Sequence, residues 1–358
     1  MKKSIIMLSA LAGTLCFDTA IQAQVAVPET FRKDASAADK SKPGFIWNIF
    51  QNAADTRNNN TKTEEALGGL LKAGDGTPPV NEADPSAQGG ADGPGKKIGA
   101  ADNALIQFEV SGIINFSQAE GENNGSLRPD LGMPGIPGVG GSTDGIAAEV
   151  LTWLDLPEGE HTLIVNSDDG FLFTIGGASP KDQFATFVGQ FNGGRGASDT
   201  TMRIKVTKAG LYPARVTWEE GGGGVNIEFV QVKADGTRVG VNDPASDIKA
   251  YRAVTGAVAT SATLVAPGPG SLTAPFDAEV AIDLDNAAIQ TSGVKLSYDG
   301  KEVAATVTKN GSVVSVRLGE NLANPDNVGS ARGPGKKDPN TRFPIEFEVE
   351  TVINFDQA

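Results

Sequence analysis

The stretch EHTLIVNSDDGFLFTIGG, residues 160–177, decides how this chain reads. Two apolar runs, HTLIV (161–165) and FLFTI (171–175), flank the polar NSDDG (166–170), as two strands flank a turn. The turn sets Asp168 beside Asp169. In an extended trans chain, successive side chains point to opposite faces, so neighbouring carboxylates converge only where the backbone bends sharply between them. Two readings follow. Either the pair shapes an Asx-type turn with both groups in water, or it converges and a divalent cation offsets the repulsion, because paired carboxylates are good donors to calcium.

Outward from this stretch the same period of two recurs. Ile106, Phe108 and Val110 alternate with polar residues, and EVLTWLDL (149–156), MRIKV (202–206), YPARVTW (212–218) and VNIEFVQV (225–232) read as further strands. Many short strands separated by Gly-rich turns predict an all-β, antiparallel sandwich or barrel. GFIWNIFQNA (44–53) is the first apolar segment. One helix is expected at TKTEEALGGLLKAG (61–74), where Glu64 stands three residues after Thr61 as a capping box requires. Residues 74–104 read as loop, and GMPGIPGVGG (132–141) as a surface loop too short for a collagen helix. Trp47, Trp153 and Trp218 lie in apolar runs and are expected to be buried.

Residues 1–23 read as a secretory signal peptide: Lys2 and Lys3 start it, Ile5 to Phe17 is apolar but too short to span a bilayer, and Ala23 suits cleavage. The single cysteine, Cys16, falls within it, so disulfides and thiol chemistry are not expected in residues 24–358. The chain carries 30 Lys and Arg against 44 Asp and Glu, a net of −14; without residues 1–23 the counts are 28 and 43, a net of −15. Such a charge repels nucleic acid and anionic membranes and tolerates bound cations. Segment 24–43 is polar and expected to be mobile.

Little points to catalysis. His161 is the only histidine, and G-x-S-x-G is absent. GADGPGKK (90–97) has Lys97 where a phosphate-binding loop needs Ser or Thr, and neither a strand before it nor a helix after it. Two carboxylates suffice for glycoside hydrolysis, but no pair among the acidic residues stands out for that role.

A second β-rich unit is expected over 253–325, with hairpin signals at YDGKE and KNGS. After a linker, RGPGKKDPNTRFPIEFEVETVINFDQA (332–358) repeats DGPGKKIGAADNALIQFEVSGIINFSQA (92–119). This half-repeat predicts a piece of a longer tandem protein, or alternatively a strand donated to a neighbouring molecule.

On these residues the chain resembles the PA-14 domain family, named for part of a bacterial toxin component. EHTLIVNSDDGFLFTIGG is similar to that family's strand, S-D-D-G turn and strand. KAGLYPARVTWEEGGGGVNIEFV (208–230) is similar to its A-G-x-Y strand, acidic-glycine loop and final strand. With GFIWNIF the resemblance covers roughly 44–252, and TEEALGGLL and GQFNGGRGASDT look like a variant found in large exported bacterial proteins. Residues 253–325 resemble bacterial immunoglobulin-like repeats. The resemblance implies an antiparallel β-barrel or sandwich in an exported, non-catalytic protein. Its partner would be an extracellular glycan or cell-surface polysaccharide, and its location secreted, at the cell surface or in the periplasm. In the family's sugar-binding adhesins two consecutive aspartates joined by a cis peptide hold calcium, which coordinates sugar hydroxyls. By motif those residues are Asp168 and Asp169, with Asn226 as the ligand from the later loop and Glu219 or Glu220 as its substitute. The alternatives are a structural spacer with no ligand, and an accessory piece of a glycan-degrading enzyme.

Overall fold

The computed structural model describes residues 24–182, 185–256, 261–266, 280–285, 289–298, 301–310 and 313–318. The expected signal peptide and the repeated tail lie outside them. In chain order the elements are β1 (Val25–Ala26), β2 (Phe45–Gln51), α1 (Asn60–Leu67), β3 (Lys96–Lys97), β4 (Ile106–Val110), β5 (Asn115–Ser117), β6 (Leu131–Gly132), β7 (Ile146–Leu156), β8 (Gly159–Asp168), β9 (Phe171–Ile175), β10 (Thr186–Phe191), β11 (Ser198–Val206), β12 (Gly210–Glu220), β13 (Asn226–Val232), β14 (Arg238–Gly240) and β15 (Lys249–Tyr251).

They form two sheets. The first runs β1-β11-β8-β13-β5-β6 with β14 on β13; the second runs β10-β9-β12-β7-β2-β4-β3 with β15 on β7. Pairing is antiparallel except for β1 with β11 and β5 with β6. Neither sheet closes on itself, so the fold is an open sandwich rather than a barrel. The period of two explains the core. Leu163 and Val165 of β8, Ile204 and Met202 of β11, and Ile227 and Phe229 of β13 face Phe171 and Phe173 of β9, Val216 and Trp218 of β12 and Trp47 of β2. Edge-to-face pairs bridge the layers, Phe173 to Phe229 and Trp47 to Phe116, each with ring centroids 5.4 Å apart. Full burial of each such ring stabilises the fold by roughly 2–3 kcal/mol. All three tryptophans are buried, as expected.

Several expectations are corrected. Segment 24–43 is not free: β1 pairs with β11, Lys33 and Leu211 exchange two main-chain hydrogen bonds, and Ala38 and Pro43 bridge to Val254 and Tyr251. Its polar side chains said nothing about backbone pairing. Those contacts also carry the first unit past residue 252, because Thr255 N–H donates to Ala37 O (2.7 Å). The MPGI part (133–136) of the expected surface loop is buried: Met133 is in the core, and Pro134 O accepts the Trp47 indole N–H at 3.1 Å. The helix is shorter than 61–74 and is capped by Asn59, whose side chain accepts from Lys62 N; Glu64 instead meets Arg215. The strand Thr186–Phe191 had no reading in the sequence.

Beyond residue 256, β16 (Ser261–Ala266), β17 (Val280–Asp285), β18 (Leu296–Tyr298), β19 (Lys301–Val303), β20 (Thr306–Asn310) and β21 (Val313–Leu318) form a four-stranded antiparallel sheet, β16-β17-β21-β20, and a hairpin, β18-β19. They bury their own cluster, including Leu284, Leu296, Val314 and Val316. Much of the expected immunoglobulin-like region 253–325 lies outside the described residues. Among the described residues no helix is long and apolar enough to cross a membrane.

Candidate functional site

The S-D-D-G turn sits at one end of the sandwich, where β8 of the first sheet crosses to β9 of the second. Asp169 N–H donates to Glu219 O (3.1 Å) and Glu219 N–H donates to Gly170 O (3.0 Å). These two bonds tie the turn to the end of β12 and bring Glu220 beside the aspartates. The Asp168–Asp169 peptide is cis. Carboxylate oxygens of Asp168, Asp169 and Glu220 all lie within 4.8 Å of one another. The structure therefore brings together the two aspartates named from the sequence and one of the two glutamates offered as a substitute.

Asn226, the third residue named from the sequence, opens β13 directly opposite Asp168 in the antiparallel register. It is buried, and neither its amide oxygen nor its amide nitrogen has a partner. Glu219 points the other way, toward α1, where its carboxylate accepts from the Thr63 hydroxyl at 2.9 Å. Adjacent strand residues alternate, so the two glutamates lie on opposite sides of β12: Glu219 Oε1 packs against Gly170 of the turn, and only Glu220 joins the two aspartates.

The three carboxylates differ in their surroundings. Asp169 is held: its Oδ1 accepts Arg195 N–H (2.7 Å) and its Oδ2 accepts Gly221 N–H (3.0 Å). Glu220 is fully buried, and neither of its oxygens accepts a hydrogen bond. Burial, and after it the charges of Asp169 and Asp168, push its carboxyl up to about 9. Burial and the Asp169 charge push Asp168 up to about 6, and burial alone dominates in raising Glu219 to about 7. Neighbouring carboxylates out of water raise one another in this way unless a cation sits among them. Among the described residues the cations nearest these carboxylates act without a direct ion pair: Arg195 on the two aspartates and the buried Lys62 on Glu220.

Arg195 was not singled out in the sequence. Its guanidinium lies over the Phe191 ring, 4.3 Å from the centroid, and donates to Ser167 O (3.1 Å), Ser167 Oγ (2.6 Å) and Thr200 Oγ1 (2.9 Å). It braces the turn from behind while leaving the carboxylates to face forward. The glycine loop 221–224 has a steric reason. A Cβ on Gly221 would meet Thr56 O at 2.5 Å, and one on Gly224 would meet Asp168 Oδ2 at 2.8 Å. Gly223 and Gly193 have open space around them, so the rim is bare of side chains there.

The arrangement fits a hard cation. Its donors are all oxygens, Glu220 offers two that nothing else uses, and calcium takes six to eight such ligands.

No family model matches the chain, and no curated protein does. Among solved structures the chain is similar to the PA14 domain of the MpAFP antifreeze protein, at 16% identity over 59% of this chain and 91% of that one, with a TM-score of 0.35. It is also similar to a PA14 sugar-binding domain from an RTX adhesin, at 15% identity over 55% and 94%, TM-score 0.31. A third is the Epithelial Adhesin 9 A domain from Candida glabrata in complex with Galb1-4GlcNAc, at 10% identity over 62% and 95%, TM-score 0.33.

Proposed function

We propose that this chain is an exported, non-catalytic module that binds carbohydrate through calcium at the end of its first β-sandwich. The observation that carries the reading is the convergence of Asp168, Asp169 and Glu220 within 4.8 Å, with both Glu220 oxygens lacking any donor. The resemblance of the S-D-D-G turn to sugar-binding PA-14 adhesins supports it.

Asp168, Asp169 and Glu220 would hold the ion, and Asn226 would add its amide oxygen from across the β8–β13 pair. Bound calcium supplies open coordination positions that two neighbouring sugar hydroxyls can fill. The chain's own residues set the rest. Hydrogen bonds from Arg195 and Gly221 fix Asp169 in place, and the bare glycines at 193 and 223 leave the approach unobstructed. Residues 1–23 would direct export, placing the module where glycans are met at the cell surface or beyond it.

Calorimetry with calcium, on the wild type and on Asp168→Asn/Asp169→Asn, tests the metal step; identical heats from the two proteins would end the metal claim. A glycan array read with calcium and again with a chelator tests the sugar step. An array blank under both conditions would leave a β-rich spacer whose acidic pair only shapes a turn.

A further inference from the structure

We propose that a second cation site lies beneath the loop 121–130, on the outer face of the first sheet, held by Asp130, Glu228 and the amide oxygen of Asn115. It shares no ligand with the Asp168 centre, although Glu228 stands two residues along β13 from Asn226.

The residues come together through strand register. Glu228 of β13 stands opposite Asn115 of β5 on one side and Asn166 of β8 on the other. Their neighbours Phe116, Ile227, Phe229 and Val165 face the core, so Asn115, Glu228 and Asn166 share the outer face. That face is not in water: Asn115, Asp130, Asn166 and Glu228 are all at most 4% exposed, because the loop folds over them. Gly125 packs so closely that a Cβ there would lie 2.3 Å from Glu228 Oε2.

The hydrogen bonds under the loop leave an excess of acceptors. Glu228 accepts from Ser126 N (2.9 Å) and Leu127 N (2.8 Å). Asp130 Oδ2 accepts from Ser117 Oγ (2.5 Å) and Asn124 N (2.8 Å), and the Asn115 amide nitrogen donates to Pro129 O (3.0 Å). Asp130 Oδ1, Asn115 Oδ1 and Asn166 Oδ1 remain buried with no donor. Water could supply donors but not charge, and two fully buried carboxylates have no Lys or Arg ion-pair partner among the described residues. An uncompensated buried charge is strongly destabilising. Oxygen is the sole donor type here, which selects a hard ion of the calcium kind over zinc or copper.

The test is equilibrium dialysis of the metal-stripped full chain against radioactive calcium. Two ions per wild-type chain are expected, falling to one in Asp130→Asn/Glu228→Gln and to one in Asp168→Asn/Asp169→Asn. A wild type that binds one ion, lost in the Asp168/Asp169 variant, overturns this site and leaves the proposed function standing. One ion lost only in the Asp130/Glu228 variant supports this site and overturns the Asp168 centre. Should the Asp130/Glu228 variant fail to fold, amide hydrogen exchange across 121–130 decides. Calcium is expected to slow exchange there at least tenfold in the Asp168/Asp169 variant, and unchanged exchange in that variant overturns the proposal.

Discussion

Asn226 lies directly across from Asp168 in the β8–β13 ladder, buried and with every polar atom of its amide unpartnered. A residue in that position makes no side-chain hydrogen bond that its removal would break. Asn226→Ala is therefore expected to leave urea stability, measured with chelator present, within about 1 kcal/mol of the wild type. The same variant should weaken calcium binding about tenfold or more by calorimetry. Unchanged calcium affinity would remove Asn226 from the ligand set.

The two aspartates should separate by stability. Asp169 accepts from Arg195 N–H and Gly221 N–H, so Asp169→Ala strands one buried and one part-buried donor and should cost about 2–3 kcal/mol in chelator. Asp168 is crowded by the Asp169 charge, and Asp168→Ala should cost less than Asp169→Ala under the same conditions. Urea melts of both variants check the ordering; the reverse order would contradict the geometry.

Gly224→Ala probes the centre by steric contact alone. The added methyl would stand 2.8 Å from Asp168 Oδ2, so the carboxylate must swing aside while the backbone stays put. Calcium affinity is expected to fall on the order of tenfold, with a far-UV circular dichroism spectrum like that of the wild type.

A further prediction concerns pH. Glu149 is buried. Burial alone would raise its carboxyl, but the charges of Lys181 and Arg215 at 2.8 and 2.7 Å prevail and hold it at about 2. A depressed folded-state value means that the unfolded chain binds more protons as pH falls. Its contribution, on the order of 3 kcal/mol, is fully present above the ordinary glutamate value of 4.5 and is lost between about 4.5 and about 2. Acid unfolding of Arg215→Met should begin at higher pH than in the wild type, and at pH 7 that variant should be about 3–5 kcal/mol less stable because Glu149 loses a partner. Coincident acid transitions would count against the network.

The strands could be read from the chain because alternation is a local signal. FLFTI is β9 to the residue, and VNIEFVQV differs from β13 by one residue at its start. The same locality explains the failures. Val25, Lys33 and Pro43 pair through backbone groups that composition does not report. Met133 joins the main core from a Gly- and Pro-rich loop, where no periodic pattern marks it. Arg195 lies in GGRGAS, which reads as an ordinary loop until the Phe191 ring and the Ser167 carbonyl appear beneath it.

The sequence by itself determined an all-β chain and placed two acidic residues in a row at a strand-to-strand turn, since both facts need only neighbours in the chain. Tertiary structure decided which glutamate joins them. Glu219 and Glu220 are equivalent as letters, yet strand alternation sends one to Thr63 on the helix and the other into the end of the sandwich. There β8 and β12, from opposite sheets, draw close enough for three carboxylates to meet.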